Sequence, residues 1–511
     1  MLAPEPQRAA RADVCLVLEG TYPYVSGGVS SWVHDLVRSL PELTFSLFHI
    51  GPQPGVYGGR RYQLPSNVTG LDDYYCNDTA SLPEEHTPIG LHPRIRALGT
   101  RPPRTRSRTL DALRRLHLED TVDDALIDDL AAADASVEDL LHGDEAFELI
   151  CDVARERAPQ APFLEFFWHF RSMHVPLLRL LAAPTPRADV YHSVSTGYAG
   201  VVSAAASRRT GRPMLLTEHG IYAREREMEL SHATWVGEAE RDDRMPRLAP
   251  SPLRRFWSHF FVRLSRIAYH QATRIVTLSE VNRTKQVSDG ADPTKTAIVP
   301  NGIDVDALVA ALAPSPQRGP DRPMRVGFVG RVVPIKDVLT FIKACSLALS
   351  EVPLEIDVIG PTEEDPAYAA RCRDLVEALG RTDQIRFVGP KHPSDIYSNL
   401  DVCVLTSFSE GQPLVILEAH AAAIPVIATD VGACREMLEG TSVDRVLGPG
   451  GIITRVGAAE ETAAALVRLV KSPDLRRRMG QAGRTRVRAS YTKSRLVEAY
   501  RGLYRDLARA G

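Results

Sequence analysis

Short apolar runs, each followed by a turn and then by a segment with helical spacing, recur along the whole chain. The runs predict strands at residues 14–18, 190–192, 214–217, 274–278, 324–329, 355–359, 384–388, 402–406 and 425–429. Mostly apolar strands that alternate with helices are typical of parallel sheets covered on both faces. The pattern therefore predicts the α/β class with doubly wound sheets, in which ligands bind at the carboxyl ends of the strands.

The length of 511 residues predicts two or three domains. The proline-rich segment 312–323 reads as a linker, because the strand and helix rhythm restarts directly after it. We therefore expect an N-terminal lobe over residues 1–311 and a C-terminal lobe over 324–492. The amphipathic segment 493–511 is expected to form a closing helix that crosses back to the N-terminal lobe.

The N-terminal lobe is interrupted by an insertion at about residues 93–150. It begins with an arginine-rich run, 101–108, and continues as an acidic, helix-prone stretch. Charge runs are usually solvated, so the first interpretation is a surface insertion. The alternative is a surface that binds an acceptor or a partner.

Composition excludes several classes of protein. Hydrophobic residues make up 44% and charged residues 24%, so disorder, collagen and disulfide scaffolds are disfavoured. The net charge of −3 provides no basic field for nucleic acid or an anionic membrane. The seven cysteines include no C-x-x-C pair, and no apolar run is long enough for a signal peptide or a membrane span. We expect a soluble cytoplasmic protein that binds anions through local groups.

Residues 406–432 carry the strongest functional pattern, which opens at the end of a predicted strand. Gly411 lets the backbone pass close to a ligand, and Pro413 suits the first turn of a helix. The amides of Leu414 and Val415 would then point towards a ligand. A helix N-terminus of this kind is a ready site for phosphate.

Two carboxylates flank this predicted anion site. Glu410 precedes the helix, and Glu418 lies about 7.5 Å along its axis from Pro413. Ionised carboxylates only accept hydrogen bonds, which suits the many hydroxyl donors of a sugar. The alternative is that Glu410 caps the helix and Glu418 is solvated.

Residues 327–337 form a second strand and turn, with Arg331 at the strand end and Lys336 at the start of the next helix. Both cations could bind a diphosphate through charge-assisted hydrogen bonds of roughly 1.5–3 kcal/mol each. Taken alone, they would be ordinary surface charges. The glutamate pattern in the same lobe favours a site.

Two loops of the N-terminal lobe also have the composition of a ligand-binding site. Gly27 and Gly28 precede a predicted helix in the segment 19–36, although no G-x-G-x-x-G or P-loop pattern occurs in the chain. His219 follows a short strand within the polar segment 215–227. The alternatives are a plain turn for the glycines and a structural role for the histidine.

The segment 298–306 reads as the end of the N-terminal lobe, where Asn301 and Gly302 form a turn. It also contains a D-x-D spacing at Asp304 and Asp306. We interpret this spacing as structural, so the sequence predicts no metal site.

These motifs together resemble a known family. The PNGID turn, the GR-x4-K loop and the E-x7-E element occur in this order over residues 298–432. They resemble the donor-binding half of retaining GT-B glycosyltransferases of family 4. The sequences EGTYPYVSGGVSSWVHDL and TEHGIYARERE, with the insertion, resemble more narrowly the PelF group, cytosolic transferases associated with Pel exopolysaccharide synthesis and biofilms.

The resemblance implies a GT-B fold, with two Rossmann-like lobes facing a central cleft, and roles for residues of the donor half. Arg331 and Lys336 would bind the donor diphosphate. Glu410 would contact hydroxyls of the donor sugar, and Glu418 would contact the ribose. Residues 387–391 would neighbour the base.

In the N-terminal half, the resemblance implies that Gly27 and Gly28 close on the phosphates. His219 would lie beside the transferred sugar. The implied reaction is retaining transfer of a hexosyl unit from a UDP-sugar, with UDP-glucose favoured, to a growing exopolysaccharide or glycan. It would need no metal, and a membrane-embedded synthase would be a partner.

Other functions remain open from the sequence. One is a different two-lobed enzyme, such as a sucrose-synthase-like or other family 4 transferase, or a nucleotide-sugar epimerase. A second is a non-catalytic, UDP-binding subunit of a polysaccharide synthase. The joint presence of His219, Arg331, Lys336 and Glu410 disfavours the non-catalytic subunit.

Overall fold

The chain forms two units, each built on its own sheet. The computed structural model describes residues 11–77, 107–233, 235–236, 251–312 and 322–510. The first unit comprises Met1–Val276, Gln286–Ala297 and Arg501–Gly511, and the second comprises Thr277–Lys285 and Ile298–Tyr500. Both units consist of strands that alternate with helices, so the predicted α/β class with two doubly wound sheets is confirmed.

The first sheet has seven strands in the order β3-β2-β1-β4-β5-β6-β7. Its strands are β1 (Ala12–Glu19), β2 (Phe45–Gly51), β3 (Val68–Tyr75), β4 (Ala188–Ser193), β5 (Met214–Glu218), β6 (Arg274–Thr277) and β7 (Thr296–Ile298). Strands β3, β2, β1, β4 and β5 pair in parallel. Their carboxyl ends therefore lie at one edge, where Glu19 ends β1 and Glu218 ends β5.

Among the described residues, the part of the chain that forms this sheet also contains ten helices, which are numbered in chain order. They are α1 (Gly28–Arg38), α2 (Arg108–Leu118), α3 (Asp124–Ala132), α4 (Val137–His142), α5 (Asp144–Arg157), α6 (Phe163–Ala182), α7 (Tyr198–Thr210), α8 (Tyr222–His232), α9 (Pro252–Gln271) and α10 (Glu280–Asp289). Helix α10 is divided between the two units.

The interpretation of residues 93–150 as a solvated surface insertion is wrong for the part that the structure describes. Helices α2 to α5 bury apolar side chains such as Leu113, Leu130 and Leu149 in the main core of the first unit. The charged residues that suggested a surface lie on the outer faces of amphipathic helices. The arginine-rich run lies almost entirely outside the described residues.

Arg263 on α9 holds these helices in place. Its side chain is fully buried, and its guanidinium donates to the carbonyl oxygens of Leu116 (3.0 Å) and Thr121 (2.7 Å) at and beyond the end of α2. A third bond reaches the carbonyl oxygen of Asp120. Carbonyl groups at a helix C-terminus lack intrahelical partners, so one buried cation satisfies several acceptors.

The second sheet has six strands in the order β10-β9-β8-β11-β12-β13, and all neighbours pair in parallel. Its strands are β8 (Met324–Val329), β9 (Leu354–Ile359), β10 (Ile385–Gly389), β11 (Val402–Leu405), β12 (Val426–Thr429) and β13 (Gly451–Thr454). The helices are α11 (Val305–Ala311), α12 (Val338–Leu349), α13 (Pro366–Ala378), α14 (Pro393–Tyr397), α15 (Leu414–Ala421), α16 (Cys434–Glu439), α17 (Ala459–Lys471), α18 (Pro473–Ser490) and α19 (Lys493–Ala510).

The second sheet separates two apolar cores. On β11, Val402 and Val404 pack into one core, whereas Cys403 and Leu405 pack into the other. Successive side chains of a strand point to opposite faces, so a strand buried on both faces must be apolar at every position. This explains why the apolar run at residues 402–406 predicted the end of β11 to within one residue.

The division of the chain differs from the expected one at residues 298–311. Residues 298–311, expected in the N-terminal lobe, belong to the second unit, because the backbone of Ile303 bonds with Tyr491 and Lys493. Helix α19 forms where a closing helix is expected, and its residues from Arg501 onwards belong to the first unit. Most of the linker 312–323 lies outside the described residues.

Four strands lacked a clear pattern in the sequence. Strand β3, with the sequence VTGLDDYY, has no fully buried residue, includes two aspartates, and lies at the edge of its sheet. Strands β7 and β13 are only three and four residues long. Strand β2 is fully buried, but its Ser46 and His49 interrupt the apolar run.

Two observations bear on the expected environment. All seven cysteines are free, and five of them are buried. Within the described residues, no helix combines the length and the apolar character needed to cross a bilayer.

The role of Arg263 is testable through stability. In Arg263→Met, the buried carbonyl oxygen of Leu116 and the partly buried ones of Asp120 and Thr121 would lose their charged donor, so we expect the free energy of unfolding to fall by about 2 kcal/mol. Arg266→Met is the matched control on the same helix, since Arg266 is only partly buried and makes one long backbone contact, 3.3 Å to Asp289. Urea denaturation would measure both variants. Equal stability of the two would show that Arg263 does not hold α2.

Candidate active site

The loop after β8 is fixed by backbone hydrogen bonds. A 3-10 turn, Pro334–Lys336, leads to Asp337, which has φ 46° and caps α12 by accepting from the amide of Thr340 (3.2 Å). The hydroxyl of Thr406, at the end of β11, donates to the carbonyl oxygen of Asp337 (2.9 Å). The two loops that carry Lys336 and Glu410 are thereby joined at their bases.

Lys336 and Glu410 form an ion pair, with 2.6 Å between Nζ and Oε1. The side chains are only 19% and 8% exposed, so water screens the pair weakly. Ser407 donates to the same carboxylate oxygen at 2.6 Å. Glu410 is therefore held by two donors from separate loops.

The Glu410 loop folds back on a glycine. Gly432 has φ +51°, and a Cβ at this position would collide with the carbonyl oxygen of Glu410. The amide of Ala433 donates to the carbonyl oxygen of Gly411 at 2.9 Å. Only glycine permits both the left-handed backbone and this close approach.

Helix α15 starts within one residue of the expected position. Pro413 is its N-cap and Leu414 its first residue. The first amides of a helix, here those of Leu414 and Val415, have no acceptor earlier in the helix. Because the partial positive charge of the helix is at this end, an anion is favoured there.

Glu418, one turn further along α15, accepts a hydrogen bond from the hydroxyl of Tyr397 (2.8 Å). Burial raises the pKa of Glu418, and the bond from Tyr397 lowers it in part. Glu418 is therefore not the solvated helix residue of the alternative interpretation. Its carboxylate is oriented by a tyrosine that no feature of the sequence indicated.

Arg331 does not join the pair of Lys336 and Glu410. Its guanidinium lies 2.5 Å from a carboxylate oxygen of Glu364, and its side chain is 52% exposed. Residues 387–391, expected near a base, comprise the last three residues of β10 and the two that follow it, in the same unit. A ligand that recruits Arg331 would have to compete with Glu364.

The PNGID turn belongs to this unit as well and contacts the 406–432 element. The amide of Asn301 donates to the side-chain oxygen of Gln412 at 2.6 Å. Asp304 caps α11 by accepting from the amide of Ala307 (2.9 Å), and Asp306 lies 3.3 Å from Arg488. Both aspartates of the D-x-D spacing thus have structural contacts.

In the first unit, Gly27 and Gly28 lie at the start of α1. A Cβ added to either would meet no atom within 4 Å, and both residues are exposed. Neither glycine is required by packing among the described residues. Open space above a helix N-terminus is what a phosphate needs to approach the backbone.

His219 contacts the same helix. Its ring lies edge-on to Trp32 of α1, with 4.6 Å between the ring centroids. Burial lowers the pKa of His219 to about 4, so the imidazole is neutral at pH 7. Its Nε2 is buried and has no hydrogen-bond partner among the described residues. The structure thus brings His219 and the glycine loop onto neighbouring elements.

Glu218, next to His219, is the best-satisfied buried acid of this region. It accepts hydrogen bonds from Tyr269 (2.7 Å), Gln286 (2.8 Å) and the amide of Tyr222 (3.0 Å). Burial raises its pKa to about 7. These bonds fix the turn from β5 into α8, from which His219 projects.

The predicted site residues therefore fall into two groups. Lys336, Glu410, Gly411, Pro413, Leu414, Val415 and Glu418 lie on two adjoining loops and one helix of the second unit, and Arg331 lies apart on the same unit. Gly27, Gly28 and His219 lie in the first unit. The role of Ser407 was not predicted, although it lies only three residues before Glu410 in the segment 406–432. Within the described residues, no group of three or more His, Cys, Asp or Glu side chains is arranged to hold a metal ion.

Two family models match the chain. Residues 12–294, more than half of the chain, match the family described as "Domain of unknown function (DUF3492)". Residues 314–486 match the family described as "Glycosyl transferases group 1".

Curated relatives carry related names. The chain is 31% identical over 260 residues to the D-inositol 3-phosphate glycosyltransferase of Kineococcus radiotolerans, covering 46% of this chain and 59% of the relative. It is 26% identical over 321 residues to an MMP alpha-(1->4)-mannosyltransferase of Mycolicibacterium hassiacum, covering 60% and 68%. The match spans about three fifths of the length of the Kineococcus relative.

Solved structures show a similar fold. HepE of Anabaena, in complex with UDP and glucose, has a TM-score of 0.57 at 15% identity, covering 96% of this chain and 98% of that one. The sucrose-phosphate synthase of Thermosynechococcus elongatus also has a TM-score of 0.57, at 17% identity, covering 98% and 100%. At these identities the comparison shows the fold, and the predicted GT-B fold is confirmed.

The group 1 match confirms the predicted glycosyltransferase family at its general level, whereas the narrower resemblance to PelF stays a prediction. The chain belongs to the DUF3492 family, and its second unit is a glycosyl transferases group 1 domain within a GT-B fold.

Proposed function

We propose that this protein is a retaining glycosyltransferase that moves a hexosyl unit from a UDP-sugar to a growing exopolysaccharide or other glycan. The observation that carries the proposal is the buried pair of Lys336 and Glu410 beside the N-terminus of α15. A cation and helix amides suit a diphosphate, and a carboxylate beside them suits sugar hydroxyls.

The donor class is inferred from chemistry and from similar proteins. UDP and UDP-glucose are bound in HepE structures, and the curated relatives are named as glycosyl and mannosyl transferases. We therefore favour a UDP-sugar, with UDP-glucose as the first choice. Glu418, oriented by Tyr397, would accept hydrogen bonds from the ribose hydroxyls.

The proposed mechanism is electrostatic. When the bond between the sugar and the phosphate breaks, negative charge develops on the departing diphosphate. Lys336, Arg331 and the amides at the start of α15 would stabilise this charge, and Glu410 would position the sugar. Arg331 would exchange Glu364 for the phosphate. Gly27 and Gly28 would admit phosphate to the backbone, with neutral His219 as a hydrogen-bonding group for the transferred sugar.

The proposed reaction needs no metal ion, because these cations and helix amides supply the positive charge. By resemblance to the PelF group, we further propose that the protein acts in the cytoplasm in exopolysaccharide biosynthesis, with a membrane-embedded synthase as partner. The similarity to sucrose-phosphate synthase makes transfer to a small sugar phosphate the second candidate.

A donor screen tests the proposed function. We expect UDP release from UDP-glucose, faster with a glycan acceptor, unchanged by EDTA, and a product whose anomeric configuration by NMR matches that of the donor. Preference for fructose 6-phosphate as acceptor would favour the second candidate. Tight UDP binding without turnover would indicate a non-catalytic subunit, loss of activity in EDTA would contradict a metal-free reaction, and an inverted product would contradict retention.

Lys336→Ala tests whether Lys336 stabilises the negative charge that develops on the departing diphosphate. Loss of one preorganised donor to the leaving group should lower kcat by about 100- to 1,000-fold. Lys343→Ala on α12 is the matched control, since Lys343 is exposed and its loss should leave turnover unchanged. Circular dichroism would verify folding. Near-normal turnover of a folded Lys336→Ala would remove Lys336 from the site.

Gly28→Ala tests the role of Gly28 in admitting the donor phosphate, separately from any effect on folding. The added methyl group meets no described atom and favours the helix, so stability should stay equal or rise by up to about 1 kcal/mol. Turnover should fall by about tenfold or more, because the methyl group occupies the space that we assign to phosphate. Gly502→Ala in α19 is the control, because its Cβ is equally unobstructed. Equal activity of both variants would contradict the role of Gly28.

A further inference from the structure

A cavity of about 280 Å³ lies within the first unit, separate from the residues that we assign to the donor. It is lined by the two residues that follow β3, Cys76 and Asn77, by helices α6 to α9 and by Trp235. Ligand pockets typically have volumes from about 300 Å³ upwards, so this one is suited to a small ring system. Four aromatic rings, those of Tyr198, Trp235, Trp257 and Phe261, form much of its wall.

Contacts between aromatic rings hold the two tryptophans in place. The indole N–H of Trp257 donates to Nδ1 of His169 at 3.0 Å. The ring of Trp235 lies nearly parallel to that of His169, at 6.0 Å between centroids, and edge-on to Trp257 at 5.3 Å. Trp235 nevertheless remains 59% exposed, so a large aromatic face is preorganised without being covered by the described residues.

One polar atom in the wall is unsatisfied. The Nε of Arg226 is buried and has no hydrogen-bond partner among the described residues. The guanidinium lies over the ring of Tyr222, 5.0 Å from its centroid, and it donates to Glu229 at 2.6 Å. A buried N–H that lacks an acceptor costs free energy, which a bound oxygen would recover.

The charges indicate a neutral ligand. The positive charge of Arg226 is already balanced by Glu229, which lines the same cavity. No excess cation is left among the lining residues to attract an anion. The cavity instead offers aromatic faces, a carboxylate that accepts from hydroxyls, and one N–H donor.

We propose that this cavity binds a neutral pyranose ring of a glycan. Aromatic faces pack against the C–H face of such a ring, Glu229 accepts from its hydroxyls, and Nε of Arg226 donates to one of its oxygens. The binding of a sugar ring stands on the cavity itself. The identification of that sugar as part of the acceptor rests on the proposed transfer reaction.

Titration of the whole protein with neutral oligosaccharides tests the proposal. Cellotetraose, maltotetraose and tetra-N-acetylchitotetraose are the probes, tetragalacturonate is the anionic comparison, and tryptophan fluorescence and calorimetry are the readouts. We expect at least one neutral probe to bind. Trp235→Ala should weaken this binding by about tenfold or more. Trp168→Ala, which removes another half-exposed tryptophan outside the cavity, should leave it unchanged.

A second variant blocks the cavity without removing an aromatic ring. Ser172 is an exposed residue of the cavity wall on α6, so Ser172→Tyr should fill the space, abolish binding and preserve the fold. The proposal is overturned if no neutral probe binds, if only tetragalacturonate binds, or if neither variant weakens binding.

The same samples separate this inference from the proposed function. UDP release from donors without acceptor is measured on the unmodified protein. Saccharide binding without any UDP release would support the cavity and contradict the transferase. UDP release without saccharide binding would support the transferase and contradict the cavity.

Discussion

The strands of the second sheet all run parallel, and the rest of that unit follows from this constraint. A parallel sheet cannot be joined by tight hairpins, so each strand needs a helix to return the chain. The helices cover both faces, which requires strands that are apolar throughout, and all strand ends then meet at one edge. The loops after β8 and β11 are brought together there. Lys336 and Glu410 meet because of the sheet, although 74 positions separate them.

The sequence predicted the features that depend on local pattern. Strand β8 has its predicted limits, and α15 begins one residue after the expected proline. Features that depend on long-range packing were missed. Tyr397 orients Glu418 from another helix, and Arg263 holds α2 from a helix far along the chain. No spacing of residues along the sequence predicts either contact, because both contacts depend on the tertiary fold.

Charge was the least reliable guide from the sequence. The acidic stretch near residue 130 was interpreted as a solvated surface, yet its helices pack into the core. An amphipathic helix can have one charged face in solvent and one apolar face buried in the core. Conversely, Glu218 and His219 belong to a charged segment that is typical of a solvated surface. Burial nevertheless raises the pKa of Glu218 and lowers that of His219, which favours the neutral form of each side chain. Among the predicted site residues that the structure describes, Lys336 pairs with Glu410, and Arg331 pairs with Glu364.

The end of the chain belongs to the unit in which the chain begins. The hydroxyl of Tyr504 bonds with the ring of His192 at 2.7 Å, and Arg501 bonds with Glu42 at 2.7 Å. The first unit is therefore not a continuous piece of sequence. During synthesis its sheet emerges early, but the residues from Arg501 onwards, which pack against β4, emerge only after the second unit. The first unit must wait for the second to be translated before it can reach its final packing, so a fragment that ends at the linker would not reproduce it.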